Sequence, residues 1–251
     1  NYGALSSISS QESINNSCDC GGTVAWAVGK TTITRCSNHA KVSSYSMIQY
    51  GSTAAGIVAT ITADKNDNAL VSNCYNNGEI SARGATGSNA GGISGTYYFS
   101  TIRDCYNSGN INSVSNAGGI VSFSQGATIE TCYNVGDITA TYVGGIVGEN
   151  ITSTFNNCIY KDSVSNSCGK STLALKKCTS EEMQQKAIYT DWDFENTWDF
   201  LEGNAYVYPT FKTNEYFLIN DNLDFQSGKG TEQEPYLIAS TIKSNPLKIR
   251  I

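Results

Sequence analysis

Proline is nearly missing from this chain, and the place where it is missing constrains the fold. The three prolines, Pro209, Pro235 and Pro246, all lie beyond residue 165, whereas 20 of the 24 glycines lie before it. Proline cannot donate to a strand ladder, so a long proline-free stretch suits uninterrupted hydrogen-bonded sheet. Charge is sparse as well. Residues 1–165 carry seven basic groups (Lys30, Arg35, Lys41, Lys65, Arg83, Arg103, Lys161) against ten acidic ones, and neither sign forms a run. With a net charge of -6, the chain lacks the clustered Lys and Arg that grip phosphate backbones, which excludes nucleic acid as a partner class. No apolar run approaches the roughly 20 residues of a membrane helix, and no charged segment followed by an apolar one opens the chain. The fragment is therefore expected not to insert into a membrane. There is one histidine, His39, and no motif sets a nucleophile and a carboxylate beside it, so no catalytic triad is readable.

What the chain has instead is a repeat. Cys74-Tyr75-Asn76-Asn77-Gly78-Glu79-Ile80 returns as Cys105 to Ile111 and as Cys132 to Ile138, with weaker copies starting at Cys36 and Cys158. A glycine element precedes each copy. Gly92, Gly119 and Gly145 each stand 13 residues before their cysteine; Gly56 stands 18 and Gly22 stands 14 before theirs. Periods of 20 to 50 residues indicate solenoids, propellers or arrays. The opening Asn1-Tyr2-Gly3-Ala4-Leu5 matches the tail of the motif, so residue 1 reads as lying inside a longer protein.

The spacing within the motif is a strand spacing. Cys105, Asn107, Gly109 and Ile111 fall two apart, as do Cys132, Asn134, Gly136 and Ile138. The apolar residue upstream (Ile33, Val71, Ile102, Ile129 or Phe155) sits three before its cysteine. Those two cannot share a face of one straight strand, so a corner or bulge must separate them. A further strand follows each glycine pair, pointing Ile93, Ile120 or Ile146 inward. One unit thus makes about three short strands that pair with the units above and below. The expected fold is all-β, a parallel β-helix of about six rungs. No rung is stable alone: its handful of buried side chains gains roughly 1.5 to 3 kcal/mol each, against about 1 to 2 kcal/mol for each residue ordered.

Beyond the repeats, Thr179-Ser180-Glu181-Glu182 offers a capping box for one short α-helix. The aromatic run Trp192 to Phe200, then Tyr206 to Pro209, is expected to lie over an exposed solenoid end and cover its edge. The predicted organisation is a solenoid at 1–165, a capping segment with the helix at 166–212, and the start of a further module or linker at 213–251.

The repeated residues first suggest a site, but recurrence favours ladders. Cys36, Cys74, Cys105, Cys132 and Cys158 hold equivalent positions. Stacked at one strand spacing with parallel side chains, they suit a column of free thiols better than disulfides. Cys168 and Cys178 are the better candidates for a disulfide. Asn76, Asn107 and Asn134 read as a turn ladder of amides bonded rung to rung. Tyr75, Tyr106 and Tyr133 read in two ways: as a packing ladder, or as a candidate ligand surface on which sugar rings stack. Cys18-Asp19-Cys20 has no second ligand pair to make a metal site. Asp64-Lys65-Asn66-Asp67-Asn68 lacks the glycine and glutamate of a calcium loop. Glu79, Glu130 and Asp137 recur singly, without the partner that acid–base chemistry needs. No cofactor is implied.

These motifs resemble the GLUG repeats of bacterial secreted and surface proteins, over roughly residues 1–165. SEEMQQKAIY, the spaced tryptophans and YPTFK look like the segment that closes such arrays, and GKGTEQEPYLI at 228–238 resembles the lead-in to another module. The long Ile61–Leu70 stretch and the missing tyrosine after Cys36 depart from the pattern. The resemblance implies an exported bacterial protein, located extracellularly or at the cell surface. It implies a non-enzymatic stalk or adhesin-like module with no catalytic residues, whose partners are glycans, host or cell-surface proteins, and further modules of the same polypeptide. The alternative is a carbohydrate-binding or carbohydrate-active β-helix, since that fold also carries lyases and hydrolases.

Overall fold

Each turn of the chain lays one strand on each of four walls, and each strand pairs in parallel with its counterparts one turn below and above. The computed structural model describes residues 3–9, 18–46, 51–84, 87–200, 208–212, 225–227 and 237–238. In chain order the first wall comprises Cys18–Gly21, Ser52–Ala55, Asn89–Gly91, Asn116–Gly118 and Tyr142–Gly144. The second comprises Val24–Val28, Val58–Thr62, Ser94–Tyr98, Val121–Gln125 and Val147–Ile151. The third is built around Ser100–Asn107 and Thr128–Asn134, and the fourth runs from Leu5–Ser9 through Val42–Ser46, Ile80–Gly84 and Ile111–Ser113 to Ile138–Thr139. The chain is a parallel β-helix. Six turns contribute, the first through its fourth-wall strand and the last through the other three walls.

Four walls rather than three arise because the CYNxGxI motif is divided between two of them. Tyr106 and Asn107 close a third-wall strand, the chain turns at Ser108–Asn110, and Ile111 opens the fourth wall. Alternation still holds through the turn: Cys105, Asn107, Gly109 and Ile111 are buried, while Ser108 and Asn110 are exposed. The corner between Ile102 and Cys105 is a left-handed residue. Arg35, Asn73, Asp104, Thr131 and Asn157, each immediately before its cysteine, have φ of 54°, 53°, 50°, 48° and 50°. A single αL residue reverses the side-chain alternation, so both Ile102 and Cys105 face the interior.

The interior has two lobes separated by a waist. The larger, between the second and third walls, holds Ile93, Tyr97, Ile102, Cys105, Ile120 and Ile129 among others. The smaller, between the first and fourth, holds Val42, Ala54, Ile80, Ala90, Ile111 and Ala117. At the waist the glycine pair meets the asparagine turn from across the interior. A Cβ on Gly92 would lie 2.1 Å from the Gly119 carbonyl oxygen and 2.6 Å from the Asn107 Cβ, so only glycine fits.

The segment after the last turn packs differently from expectation. Residues 166–170 hydrogen-bond to Gly145–Gly148, and Lys176–Cys178 pairs with Ile159–Lys161, so this stretch covers the end of the stack. The helix Ser180–Met183 forms with its capping box: the Glu182 amide donates to Thr179 Oγ1 at 3.1 Å, and the Thr179 amide donates to Glu182 Oε2 at 2.8 Å. The aromatic run, however, lies along the flank of the solenoid instead of over its end. Trp192 and Trp198 join a cluster with Tyr106, Tyr133 and Ile159. The physical reason is the tyrosine column itself, a large aromatic surface facing outward from the third wall. Residues 1–212 form one compact unit and 213–251 a second. In the second, Phe225–Ser227 and Leu237–Ile238 pair antiparallel; the remainder of the suggested lead-in to a further module, and Tyr206 and Val207 of the aromatic run, lie outside the described residues. Among the described residues no helix is long and apolar enough to cross a membrane.

Candidate functional site

Four lengthwise rows of side chains account for the repeated residues and for one surface between them. The thiol row is interior. Cys74, Cys105, Cys132 and Cys158 are buried and Cys36 is partly so, and all nine cysteines are free, Cys168 and Cys178 included. Within the row each Sγ donates to the carbonyl two residues earlier, at 3.1 Å for Cys74, 3.2 Å for Cys105 and 3.1 Å for Cys132. The hydrogen bond with Cys105, and then burial, push the Cys74 thiol up, and burial, aided by its thiol neighbours, pushes up that of Cys132.

The amide row stands at the waist. Asn38 Nδ2 donates to Asn76 Oδ1, Asn76 to Asn107 and Asn107 to Asn134, each at 2.7 Å. The second hydrogen of each amide goes to the carbonyl two residues on, as from Asn76 to Gly78 at 2.8 Å. Asn76 Oδ1 also accepts from the Gly78 amide at 3.2 Å. Every polar site of the Asn76 amide is thus used, which is what full burial of an amide requires.

The phenol row is stacked. Tyr75 and Tyr106 lie 4.9 Å apart at 6°, and Tyr106 and Tyr133 lie 5.0 Å apart at 4°. It is also covered, which corrects its reading as a ligand surface. Tyr133 is 1% exposed and Tyr106 8%, because Trp198, Trp192 and Phe211 lie across the rings. The Tyr133 hydroxyl donates to the Pro209 carbonyl at 2.7 Å, and Trp198 Nε1 donates to Asp104 Oδ1 at 3.2 Å. Burial pushes the phenols of Tyr106 and Tyr133 well up. Tyr75 remains half-buried and receives His39 edge-on at 5.4 Å.

The other candidates do not converge. Cys18 and Cys20 point inward while Asp19, between them, faces out. Asp67 closes its own loop by accepting from the Asp64 amide at 2.7 Å. Glu79 pairs with Lys41 at 2.9 Å and Asp137 with Lys161 at 3.7 Å, both near the surface. Among the described residues no group of three or more His, Cys, Asp or Glu could hold a metal ion.

The fourth row lies outside the waist, where the first and second walls meet. The first wall aligns Asp19, Thr53, Asn89, Asn116 and Tyr142 in one register column. Beside it the second wall aligns Trp26, Thr60, Thr96, Phe123 and Glu149. The columns are hydrogen-bonded across the corner: Thr60 Oγ1 donates to Asp19 Oδ2 at 2.9 Å, and Asn116 Nδ2 donates to Glu149 Oε2 at 3.3 Å and to Asn89 Oδ1 at 3.1 Å. Lys170 closes the top, 2.6 Å from Glu149 and 4.8 Å from the Tyr142 ring. Trp26 is 65% exposed. No repeated motif marks this outer face, because its residues vary from turn to turn. A trace of it stands in Ser88-Asn89-Ala90-Gly91-Gly92-Ile93, which returns unchanged as Ser115 to Ile120.

No protein-family model matches the chain, and no curated protein matches it. Among solved structures, the chain is similar to the crystal structure of "a putative immunoglobulin A1 protease from Bacteroides ovatus". That likeness has a TM-score of 0.54 and 18% identity and covers 85% of this chain and 75% of the other. At that identity it speaks to the fold alone.

Proposed function

We propose that this chain is a non-enzymatic, exported surface module of the GLUG-repeat kind, a stiff solenoid that presents a binding surface outside a bacterial cell. The observation that carries the reading is that architecture uses every residue of the repeated motif. The cysteine fills the core, the asparagine ties one turn to the next, the tyrosine lies beneath the aromatic strap, and the glycine lets the waist close. A motif repeated for catalysis would leave a reactive group free on the surface, whereas here repetition serves nearest-neighbour stacking. The carboxylates that recur in the repeats support the same reading, since Glu79 and Asp137 are engaged in surface ion pairs. Its partners are glycans, host or cell-surface proteins, and other modules of the same polypeptide.

Incubating the purified chain with soluble polysaccharides and with immunoglobulin A1, the protein named with its structural relative, tests this directly. The expected result is no new reducing ends and no new peptide fragments. Sustained turnover of either substrate, abolished by substituting a single carboxylate, would overturn it.

A further inference from the structure

One stretch of the fourth wall is concave. Ser6, Ser43, Ser81, Asn112 and Thr139 share a register column whose side chains point outward, and on a flat sheet all of them would be exposed. Ser6, Asn112 and Thr139 are, but Ser43 is half-buried and Ser81 is 8% exposed. Their neighbours make the difference. Val42–Ser46 and Ile80–Gly84 lie side by side, so that Tyr45 pairs with Arg83 on one side of the two serines. On the other side Lys41 reaches Glu79 at 2.9 Å. These long side chains stand as rims about a floor of hydroxyls. The open cavity between them has a volume of about 480 Å³, with Lys41, Ser43, Tyr45, Glu79, Ser81 and Arg83 in its lining.

The two rims differ in charge. Lys41 and Glu79 neutralise each other, whereas Arg83 enters no ion pair among the described residues. Arg83 stands four residues along the strand from Glu79, about 13 Å, so that carboxylate, already held by Lys41, does not serve it. The cavity therefore carries one uncompensated positive charge, in the form of a planar guanidinium fork that matches a carboxylate through two parallel hydrogen bonds. A single positive charge suits a monoanion. A phosphate or polysulfated ligand would bring further negative charge into a cavity that already holds Glu79. The rest of the lining selects hydroxyls and a ring. Ser43 and Ser81 each donate and accept, and Tyr45, 41% exposed, presents an amphipathic ring face. Apolar surface is confined to that ring, which is too little for a partner helix. Both strands are paired on either side, so no peptide strand can add here. The volume falls within the roughly 300 to 1,000 Å³ of small-molecule sites.

We infer that this cavity binds a carboxylate-bearing sugar. Arg83 grips the carboxylate, Tyr45 lies against the ring that carries it, Ser43 and Ser81 meet its hydroxyls, and the Lys41–Glu79 pair meets those of the sugar linked to it. The inference rests on the proposed role as a surface module that binds glycans, and names the site and the sugar class of that role. Uronates and sialates share this chemistry.

Calorimetric titration of the whole chain with a glucuronate-bearing disaccharide and with sialyllactose tests it, against the carboxyl-reduced disaccharide, lactose and inorganic sulfate. The expected result is that at least one acidic sugar binds roughly tenfold or more tightly than its neutral counterpart, and the arm that binds identifies the source of the carboxylate. Arg83→Gln should abolish that margin, and Tyr45→Ala should weaken binding of the acidic sugar roughly tenfold. Trp26→Ala, which removes an exposed ring on another wall, should change neither. Unchanged circular dichroism of the variants would show that the losses are local. Three results would each overturn the proposal: neither acidic sugar bound, sulfate bound as tightly as the acidic sugar, or the margin over the neutral sugar kept in Arg83→Gln. New reducing ends released during the titration would instead sink the non-enzymatic reading and leave the sugar site standing.

Discussion

Aromatic side chains stand on both outer faces of the larger core, and the two faces have opposite fates. On the third wall, Tyr75, Tyr106 and Tyr133 form a regular stack and are roofed by Trp192, Trp198 and Phe211. On the second wall, Trp26 and Phe123 sit among threonines with no segment described across them. Regularity and exposure are thus inversely related here. An unbroken aromatic column is a large apolar surface that recruits cover; an interrupted one tolerates water, and it keeps its rings available.

Removing the roof should have the largest effect on this contrast. Trp198→Ala deletes a fully buried indole, an expected loss of about 3 to 5 kcal/mol, measured by urea unfolding. It should also expose the tyrosine stack, read as increased quenching of tyrosine fluorescence by acrylamide; unchanged stability would mean the roof is not part of the folded unit. Next comes the waist, which supports both faces. Asn107→Ala strands the Asn76 donor and the Asn134 acceptor in the interior, a loss of roughly 3 kcal/mol. Asn107→Ser should not restore it, because a hydroxyl cannot span both neighbours.

Alkali should distinguish the faces by titration. The phenols of Tyr106 and Tyr133 and the thiols of Cys74 and Cys132 have pKa values in the folded chain raised above their ordinary 10.0 and 9.0. The folded chain then keeps protons that the unfolded chain releases. Stability is complete below pH 9 and falls as pH rises through 9.0, then 10.0, by about 1.4 kcal/mol per pH unit for each such group. Thermal melts from pH 7 to 11 check this, and a flat profile would contradict the burial of the phenol row. The capping box comes next: Thr179→Ala should cost about 1 kcal/mol, since it leaves the Glu182 amide without its acceptor. Smallest of all, Trp26→Ala on the open face should change stability by no more than about 0.5 kcal/mol, and a larger loss would show that this indole supports the fold.

Much of this architecture could be read from spacing. Cysteine and asparagine two residues apart placed both side chains inward, and an apolar residue three before the cysteine required the corner that Asp104 and its equivalents make with positive φ. The four-walled section was harder to see, because period-two alternation runs on through Ser108–Asn110 while the backbone turns. Lateral docking of the aromatic run was illegible for another reason. The sequence orders Trp192 and Trp198 after the last turn, and nothing local shows that the chain folds back beside earlier turns, where Trp198 meets Asp104. The corner of the first and second walls is not legible in the sequence, because its neighbours, such as Asp19 and Thr60, come together only through stacking.

The amide row gives the stack a direction. At each of the three links from Asn38 to Asn134 the amide of the earlier turn donates and that of the later turn accepts, so their dipoles add head to tail and polarise one another. A turn added upside down would meet donor with donor. The series stops where Tyr160 replaces asparagine in register with Asn134, so the side chain that ends the row also marks which end of the stack is last.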